Sequence, residues 1–296
     1  MKGLLRSGFF WVLVAEAAFA GMRIATRLGA GELPWAEMGA ARFAGGALVA
    51  VALARARGAS LRVTNQKLAW LRSGFGAVNG LCVFYALGSQ RIAVGDVTTL
   101  SATTPLFVAL LSWSALRERV SPLVWLGLVT GFAGIAVLVR PGFAHMGGLA
   151  GLAVLGAFFF AIALLSLRRL GPRESSESIA LHVSCVSGGT LLLAALPHLT
   201  MPHREAWLPV ALAALFGGLA QVAMSRAYGL APAARLSAFA YVGVAMTYAL
   251  EAVVFRRTPM PHQLAGAALV VAAGVLVSLR GAPKAPPAAA PPAADG

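Results

Sequence analysis

The sequence predicts an all-α integral membrane protein of about ten transmembrane helices, arranged as two inverted five-helix repeats. Three observations support this prediction. The 296 residues are 59% hydrophobic and only 11% charged, and the mean hydropathy is +0.79, which is too apolar for an ordinary soluble domain. Apolar runs long enough to cross a bilayer recur along nearly the whole chain. The first and second halves of the chain also share matching residues.

The predicted spans are apolar runs of about 17 to 25 residues, which cross a hydrocarbon core of ~30 Å at 1.5 Å per residue. They are residues 8–28, 34–54, 68–90, 95–116, 121–139, 148–168, 178–197, 207–227, 234–255 and 261–280. The fourth and ninth starts are the least defined, because Asp96 and Arg235 lie close to them. All six tryptophans fall near the ends of these runs, as an interfacial aromatic belt requires.

The charge distribution favours a membrane over nucleic acid. The formal charge is +14, yet the basic residues form short clusters between apolar runs instead of one basic arm or face, so no nucleic-acid partner is predicted. Most of the 24 Lys and Arg residues fall on alternate connections that include the N-terminus, which predicts both termini on the cytoplasmic side of the inner membrane. The Pro/Ala-rich tail, 282–296, is predicted to be disordered.

An internal repeat connects the two halves of the chain. One shift superposes Arg117 on Arg256, Pro122 on Pro261, Gly127 on Gly266 and Ala133 on Ala272. It divides the chain into residues 1–141 and 142–281, each with five spans. Because five is odd, the second copy enters the membrane with the opposite orientation. Inverted repeats offer a route to alternating access around a midplane site, so the pattern favours a transporter.

Small residues recur inside the predicted spans. Cys82 and Cys185 lie in apolar runs without a partner at metal-ligand spacing, which predicts buried, unpaired thiols. Pairs of glycines four residues apart are predicted to let helices approach closely. These pairs are Gly76 with Gly80, Gly127 with Gly131, and Gly147 with Gly151.

Several segments resemble the EamA repeat of the drug/metabolite transporter superfamily. They are 85–111, which contains Thr-Thr-Pro105, then Leu116-Arg-Glu-Arg-Val-Ser-Pro122 and 125–135 in the first half, and 227–241 and 266–274 in the second. The resemblance implies a ten-helix secondary transporter for a small organic metabolite. Arg42-Phe43 and Leu71-Arg72-Ser73 are similar to the branch that contains S-adenosylmethionine carriers, while amino-acid exporters share the same plan. The chain departs from the family at Arg256-Arg257, where an acid is common; the first repeat keeps its acid as Glu118.

Charged residues within the predicted spans are the leading candidates for a site, because each should face a cavity or a partner. Arg42 is predicted either to bind a carboxylate-bearing solute or to pair with Glu16 or Glu37. Arg72 is predicted either to contact the solute or to snorkel to the interface. Glu16 is the best candidate for proton coupling, unless it pairs with Arg42.

Further polar residues are placed to face a central cavity. In the second half they are Glu251, Gln221 and Tyr241, and in the first half Tyr85 and Asn79. Hydrogen bonds between helices are the alternative explanation for all of them. Glu251 is grouped with Glu16 as a coupling or ion-pair residue, and the others are predicted to bind solute.

The sequence contains no phosphate loop and no clustered catalytic side chains, so we predict neither an enzyme nor a cofactor or metal site. The expected partners are a small solute and the lipid bilayer. An intramembrane lipid-modifying enzyme and a non-transporting membrane subunit remain the alternatives. The oligomeric state is left open between monomer and homodimer.

Overall fold

The computed structural model describes residues 7–29, 33–88, 94–140, 147–200, 204–256 and 258–278. Most of these residues are α-helical. The helices are α1 (Gly8–Leu28), α2 (Trp35–Arg57), α3 (Gln66–Gly88), α4 (Val94–Ser101), α5 (Thr104–Leu116), α6 (Pro122–Val139), α7 (Gly147–Leu170), α8 (Ser176–Ala195), α9 (Trp207–Leu230), α10 (Ala233–Ser237), α11 (Ala240–Val254) and α12 (Pro261–Ser278). The predicted tail lies outside the described residues.

These helices account for the ten predicted spans. Eight segments are long and apolar enough to cross a membrane, with α4 and α5 forming one and α10 and α11 another. Helix α12 adds a shorter apolar segment. Helix α3 is 23 residues long, which corresponds to about 35 Å and is also sufficient. The predicted fold class is therefore confirmed.

The fourth and ninth spans are interrupted, although the sequence predicts each as continuous. Pro105 lacks the N–H that would bond to the carbonyl of Ser101, and the hydroxyl of Thr104 donates to that carbonyl at 2.9 Å instead. In the ninth span the hydroxyl of Ser237 donates to the carbonyl of Ala234 at 3.1 Å. Each half therefore carries a broken helix at a comparable place.

The helix pairs follow the inverted repeat. Helix α1 packs on α9 as α7 packs on α3, and α1 contacts α11 as α7 contacts α5. Helices α2 and α8 pack on each other, as do α6 and α12, which are equivalent helices of the two halves. Both α5 and α11 are followed by an arginine in the left-handed conformation, Arg117 with φ 59° and Arg256 with φ 50°. The inverted arrangement predicted from the shift is confirmed.

Glycine allows close packing at only some of the predicted positions. A Cβ on Gly127 would lie 3.3 Å from the carbonyl oxygen of Ala273, and Gly131 lies against the ring of Tyr241, so this pair does let helices approach. In contrast, a Cβ on Gly80 or Gly151 would meet no heavy atom within 4 Å, and the prediction is wrong there. Cys82 is buried as predicted, whereas Cys185 is exposed, so the prediction is wrong for Cys185.

The close contact between α6 and α12 predicts that a larger residue at Gly266 would destabilise the protein. A Cβ on Gly266 would lie 2.6 Å from the carbonyl oxygen of Gly134. We expect Gly266→Ala to lower the stability of the detergent-purified protein by ~1–3 kcal/mol, because the backbones must separate. Thermal unfolding would measure this. Gly151→Ala is the matched control, and an equal loss in both variants would contradict the packing argument.

Candidate functional site

Side chains of α1, α2 and α11 form a polar cluster. Its members are Glu16, Phe19 and Arg23 of α1, Arg42 of α2 and Thr247 of α11, and we call it the Arg23–Arg42 cluster. The three α1 residues are three and four positions apart, which places them on one face of the helix. Glu16 is the ninth of 21 residues in α1 and Thr247 the eighth of 15 in α11, so the cluster extends from the middle of the bundle toward the end where α1 and α11 finish.

Arg23 joins α1 to α11. Its guanidinium donates to the carbonyl of Gly243 at 3.3 Å and to the hydroxyl of Thr247 at 3.1 Å. Its Nη2 is also 4.0 Å from Oε2 of Glu16, and its side chain is 40% exposed. Arg23 is therefore held by α11 even without the Glu16 carboxylate.

Glu16 is nearly enclosed. The residue is 6% exposed, and its Oε2 has no hydrogen-bond partner. A Cβ on Gly243 would lie 2.8 Å from the carboxyl carbon of Glu16, so glycine at that position makes room for the carboxyl group. The carboxyl group thus lies between α1 and α11. Its nearest cation is Arg23, whose Nη2 is 4.0 Å from Oε2.

Arg42 lacks the acidic partner that the sequence analysis allowed. Its guanidinium carbon lies 4.6 Å from the ring centroid of Phe43 and 5.9 Å from that of Phe19, and its Nε is buried without a hydrogen bond. The acid Glu37 instead accepts a hydrogen bond of 2.7 Å from the backbone N–H of Thr200. No ion pair links Arg42 to an acid within the described ranges, so the interpretation as a structural pair is wrong.

Arg42 also contacts α9. A Cβ on Gly217 would lie 3.0 Å from both Cγ and Nε of Arg42. The absence of a side chain at Gly217 therefore leaves the space in which the Arg42 stem lies. Both Arg23 and Arg42 carry positive charge at 5.9 Å from the same Phe19 ring centroid, which makes the cluster attractive to anions.

Arg72 does not snorkel. It is 1% exposed and one of the largest fully buried side chains, so the interpretation that it reaches the interface is wrong. The side chain packs into the bundle beside Gly76, where an added Cβ would lie 2.8 Å from Nη1 of Arg72. Its Nε has no hydrogen-bond partner, and its charge interacts with the hydroxyl of Tyr228 on α9. The neighbouring Ser73 hydroxyl and Nδ1 of His182 are 2.8 Å apart.

The remaining predicted residues occupy different environments. Gln221 is 5% exposed, and its Nε2 has no partner. Tyr241 is buried with an unpartnered hydroxyl, and its ring packs on α6. Asn79 is half-buried on α3, facing α7. Tyr85 is 55% exposed and makes an edge contact with Trp35. Solute binding by these residues stays a prediction.

Two ion pairs occupy opposite ends of the bundle. Glu251 of α11 pairs with Arg27 of α1 at the end where both helices finish. At the other end, Oε1 of Glu118 accepts from Nε of Arg168 at 3.1 Å, and Oε2 accepts from the backbone N–H of Ala233 at 3.2 Å. The two pairs join α1 to α11 and α7 to the end of α5, which are equivalent contacts in the two halves.

Sequence reasoning missed three members or neighbours of the cluster, namely Phe19, Thr247 and Gly217. Phe19 carried a signal, since it shares a helix face with Glu16 and Arg23. Nothing in the spacing of α9 or α11 identifies Gly217 or Thr247, because their roles depend on how those helices are aligned against α1 and α2.

A groove with a volume of about 350 Å³ lies on the lateral surface, between α1, α2 and α9. Its lining includes Trp11, Leu53 and Val222 and is almost entirely apolar, as is typical of a lipid-facing surface. In the described part of the chain, no group of three or more His, Cys, Asp or Glu side chains could hold a metal ion.

Comparisons with known proteins agree with this architecture. The EamA-like transporter family matches residues 6–140 and 149–279. The riboflavin transporter of Vibrio cholerae is 27% identical over 269 residues, which cover 89% of this chain and 90% of that protein. The pseudopaline exporter CntI of Pseudomonas aeruginosa is 26% identical over 284 residues, which cover 93% and 97%.

A crystal structure of another protein superposes with a TM-score of 0.82 at 21% identity, and the match covers 93% of this chain and 98% of that one. At this identity the likeness concerns the fold alone. The ten spans, the inverted pairing of the helices and the two matched repeats agree with one another. The chain therefore belongs to the EamA-like transporter family of the drug/metabolite transporter superfamily.

Proposed function

We propose that this protein is a secondary transporter that moves a small, carboxylate-bearing metabolite across the inner membrane by alternating access. Its residues 1–141 and 142–281 are the two moving halves, and both termini face the cytoplasm. The observation that carries the proposal is Arg42, a half-buried residue whose Nε is buried without a hydrogen bond and which has no acidic partner among the described residues.

An unpaired guanidinium within a membrane is costly unless a counter-charge reaches it. A carboxylate fits this requirement because the planar guanidinium binds two oxygens in a fixed geometry. Arg23 adds a second positive charge beside Phe19. Amino acids and S-adenosylmethionine-like solutes carry a carboxylate, and the relatives named as a riboflavin transporter and a pseudopaline exporter support small metabolites as the general class.

Glu16 is the proposed coupling carboxylate. It is separate from Arg42 and only 4.0 Å from the nearest cation, Nη2 of Arg23, whose other hydrogen bonds do not depend on it. A change in the charge of Glu16 therefore alters the potential around Arg42 without releasing Arg23 from α11. This arrangement supports a proton gradient as the energy source.

Counterflow in proteoliposomes tests the proposal. Liposomes loaded with unlabelled amino acids, S-adenosylmethionine or riboflavin should take up the same labelled solute when that solute is a substrate. We expect at least one carboxylate-bearing solute to be transported, and Arg42→Gln to weaken its apparent affinity by about tenfold, because a charge-assisted hydrogen bond is lost. Glu37→Gln removes another buried charge and is the matched control.

Background counterflow for every solute would contradict transport. Uptake that Arg42→Gln leaves unchanged would instead contradict the assignment of the site. Lipid turnover by the purified protein would favour the alternative of an intramembrane enzyme.

A further inference from the structure

A second buried guanidinium lacks a counter-charge. The four ion pairs of the described residues join Arg23 to Glu16, Arg27 to Glu251, Arg57 to Glu177 and Arg168 to Glu118. None of them includes Arg42 or Arg72, and both of these side chains have a buried Nε without a hydrogen bond. The acids in these four pairs therefore do not neutralise the charges of Arg42 and Arg72, and burial of an uncompensated charge is costly.

Arg42 lies against Gly217 of α9. Arg72 is buried beside Gly76 of α3, within electrostatic range of Tyr228 on α9. Gln221 is four residues from Gly217 and seven from Tyr228, so the three positions share one face of α9. Eleven residues of helix correspond to about 16 Å. Gln221 lies between these two positions along the helix, and its Nε2 is buried without a hydrogen-bond partner.

We propose that the transported solute carries two anionic groups at opposite ends, one bound by Arg42 and the other by Arg72, with Gln221 donating a hydrogen bond between them. The proposal rests on the proposed function and names the substrate class of that site. Each guanidinium supplies a fork of donors to one anionic group, and a solute of this kind neutralises both unpaired charges at once. A monoanion would leave one of them uncompensated.

A ligand-binding role and a purely structural role for Arg72 predict opposite changes in stability when this residue is replaced. If Arg72 is kept for its ligand, Arg72→Met should raise the melting temperature of the ligand-free protein, since an unpaired charge is replaced by an apolar side chain of similar length. Arg27→Met is the matched control and should lower it, because Glu251 is left without its partner. A lower melting temperature for Arg72→Met would contradict the proposal.

Ligand-induced thermal shifts of the detergent-purified, full-length protein test the substrate class directly. The probes are linear dicarboxylates from malonate to sebacate and monocarboxylates of the same carbon number. At one chain length we expect the dicarboxylate to bind at least about tenfold more tightly than its monocarboxylate. Arg72→Gln should lower dicarboxylate binding to the level of the monocarboxylate, whereas Arg42→Gln should weaken both series.

The possible outcomes separate the two proposals. Equal binding of both series, or a dicarboxylate advantage that survives Arg72→Gln, would overturn the two-anion assignment. Monocarboxylate binding that depends on Arg42 would still support the proposed function in that case. If neither series shifts the melting temperature, the two-anion proposal is wrong, and the counterflow experiment still decides the proposed function.

Discussion

Glu16→Gln is expected to abolish proton-driven accumulation while leaving solute exchange intact. A glutamine keeps the size and hydrogen-bonding groups of the carboxyl side chain but cannot change its charge. Glu16 is enclosed between α1 and α11, and its nearest cation is Arg23. The substitution therefore removes a titrating group from the centre of the bundle without removing a cation that binds solute.

The measurement is the accumulation ratio in proteoliposomes under an imposed pH gradient. Coupling of one proton to one solute permits about tenfold accumulation per pH unit, since one unit corresponds to ~1.4 kcal/mol. We expect this ratio to fall to one in Glu16→Gln, while counterflow continues. Glu37→Gln should accumulate solute like the wild type, because its carboxylate bonds to Thr200 away from the cluster. Accumulation that persists in Glu16→Gln would exclude Glu16 as the coupling group.

The spans could be predicted from the sequence because lipid imposes a length and a composition on each of them. The interruptions of the fourth and ninth spans were harder to predict from the sequence. Pro105 marks one of them, but the second has no proline at the break, and it is apparent only from the helices themselves. Hydropathy is insensitive to such breaks, since the residues on both sides are equally apolar.

The partners of the buried charges could not be predicted. Spacing along one helix shows which residues share a face, as for Glu16 and Arg23, but not which residue of another helix lies opposite. The ion pair of Arg27 is an example. The sequence departs from the family at Arg256-Arg257, which suggested that the second half had lost an acid equivalent to Glu118. The structure supplies an acid within α11 as Glu251, six residues before the position equivalent to Glu118.

This pairing makes the two ends of the bundle independently testable. Glu251→Arg places two arginines against each other where α1 and α11 end, and Glu118→Arg does the same against Arg168 at the other end. Like charges in contact are strongly unfavourable, so we expect each variant to open the bundle at its own end only. We expect Glu118→Arg to have the larger effect, because the carboxylate of Glu118 also accepts a hydrogen bond from the backbone N–H of Ala233.

Labelling of a single buried cysteine measures the opening. Ser225 is buried five residues before the end of α9, so Ser225→Cys, in a background with Cys82→Ser and Cys185→Ser, reports access to the interior. With a membrane-impermeant maleimide, Glu251→Arg should raise labelling by more than about tenfold from one side of sealed vesicles, and Glu118→Arg from the other.

A charge swap provides the decisive control for this prediction. The double variant Arg27→Glu with Glu251→Arg restores opposite charges at the same positions, so its labelling should return close to that of the parent, whereas either substitution alone should stay open. Equal labelling from both sides in the single variants would indicate general loosening of the fold. Failure of the swap to close the bundle would show that the contact between α1 and α11 depends on packing and not on the ion pair.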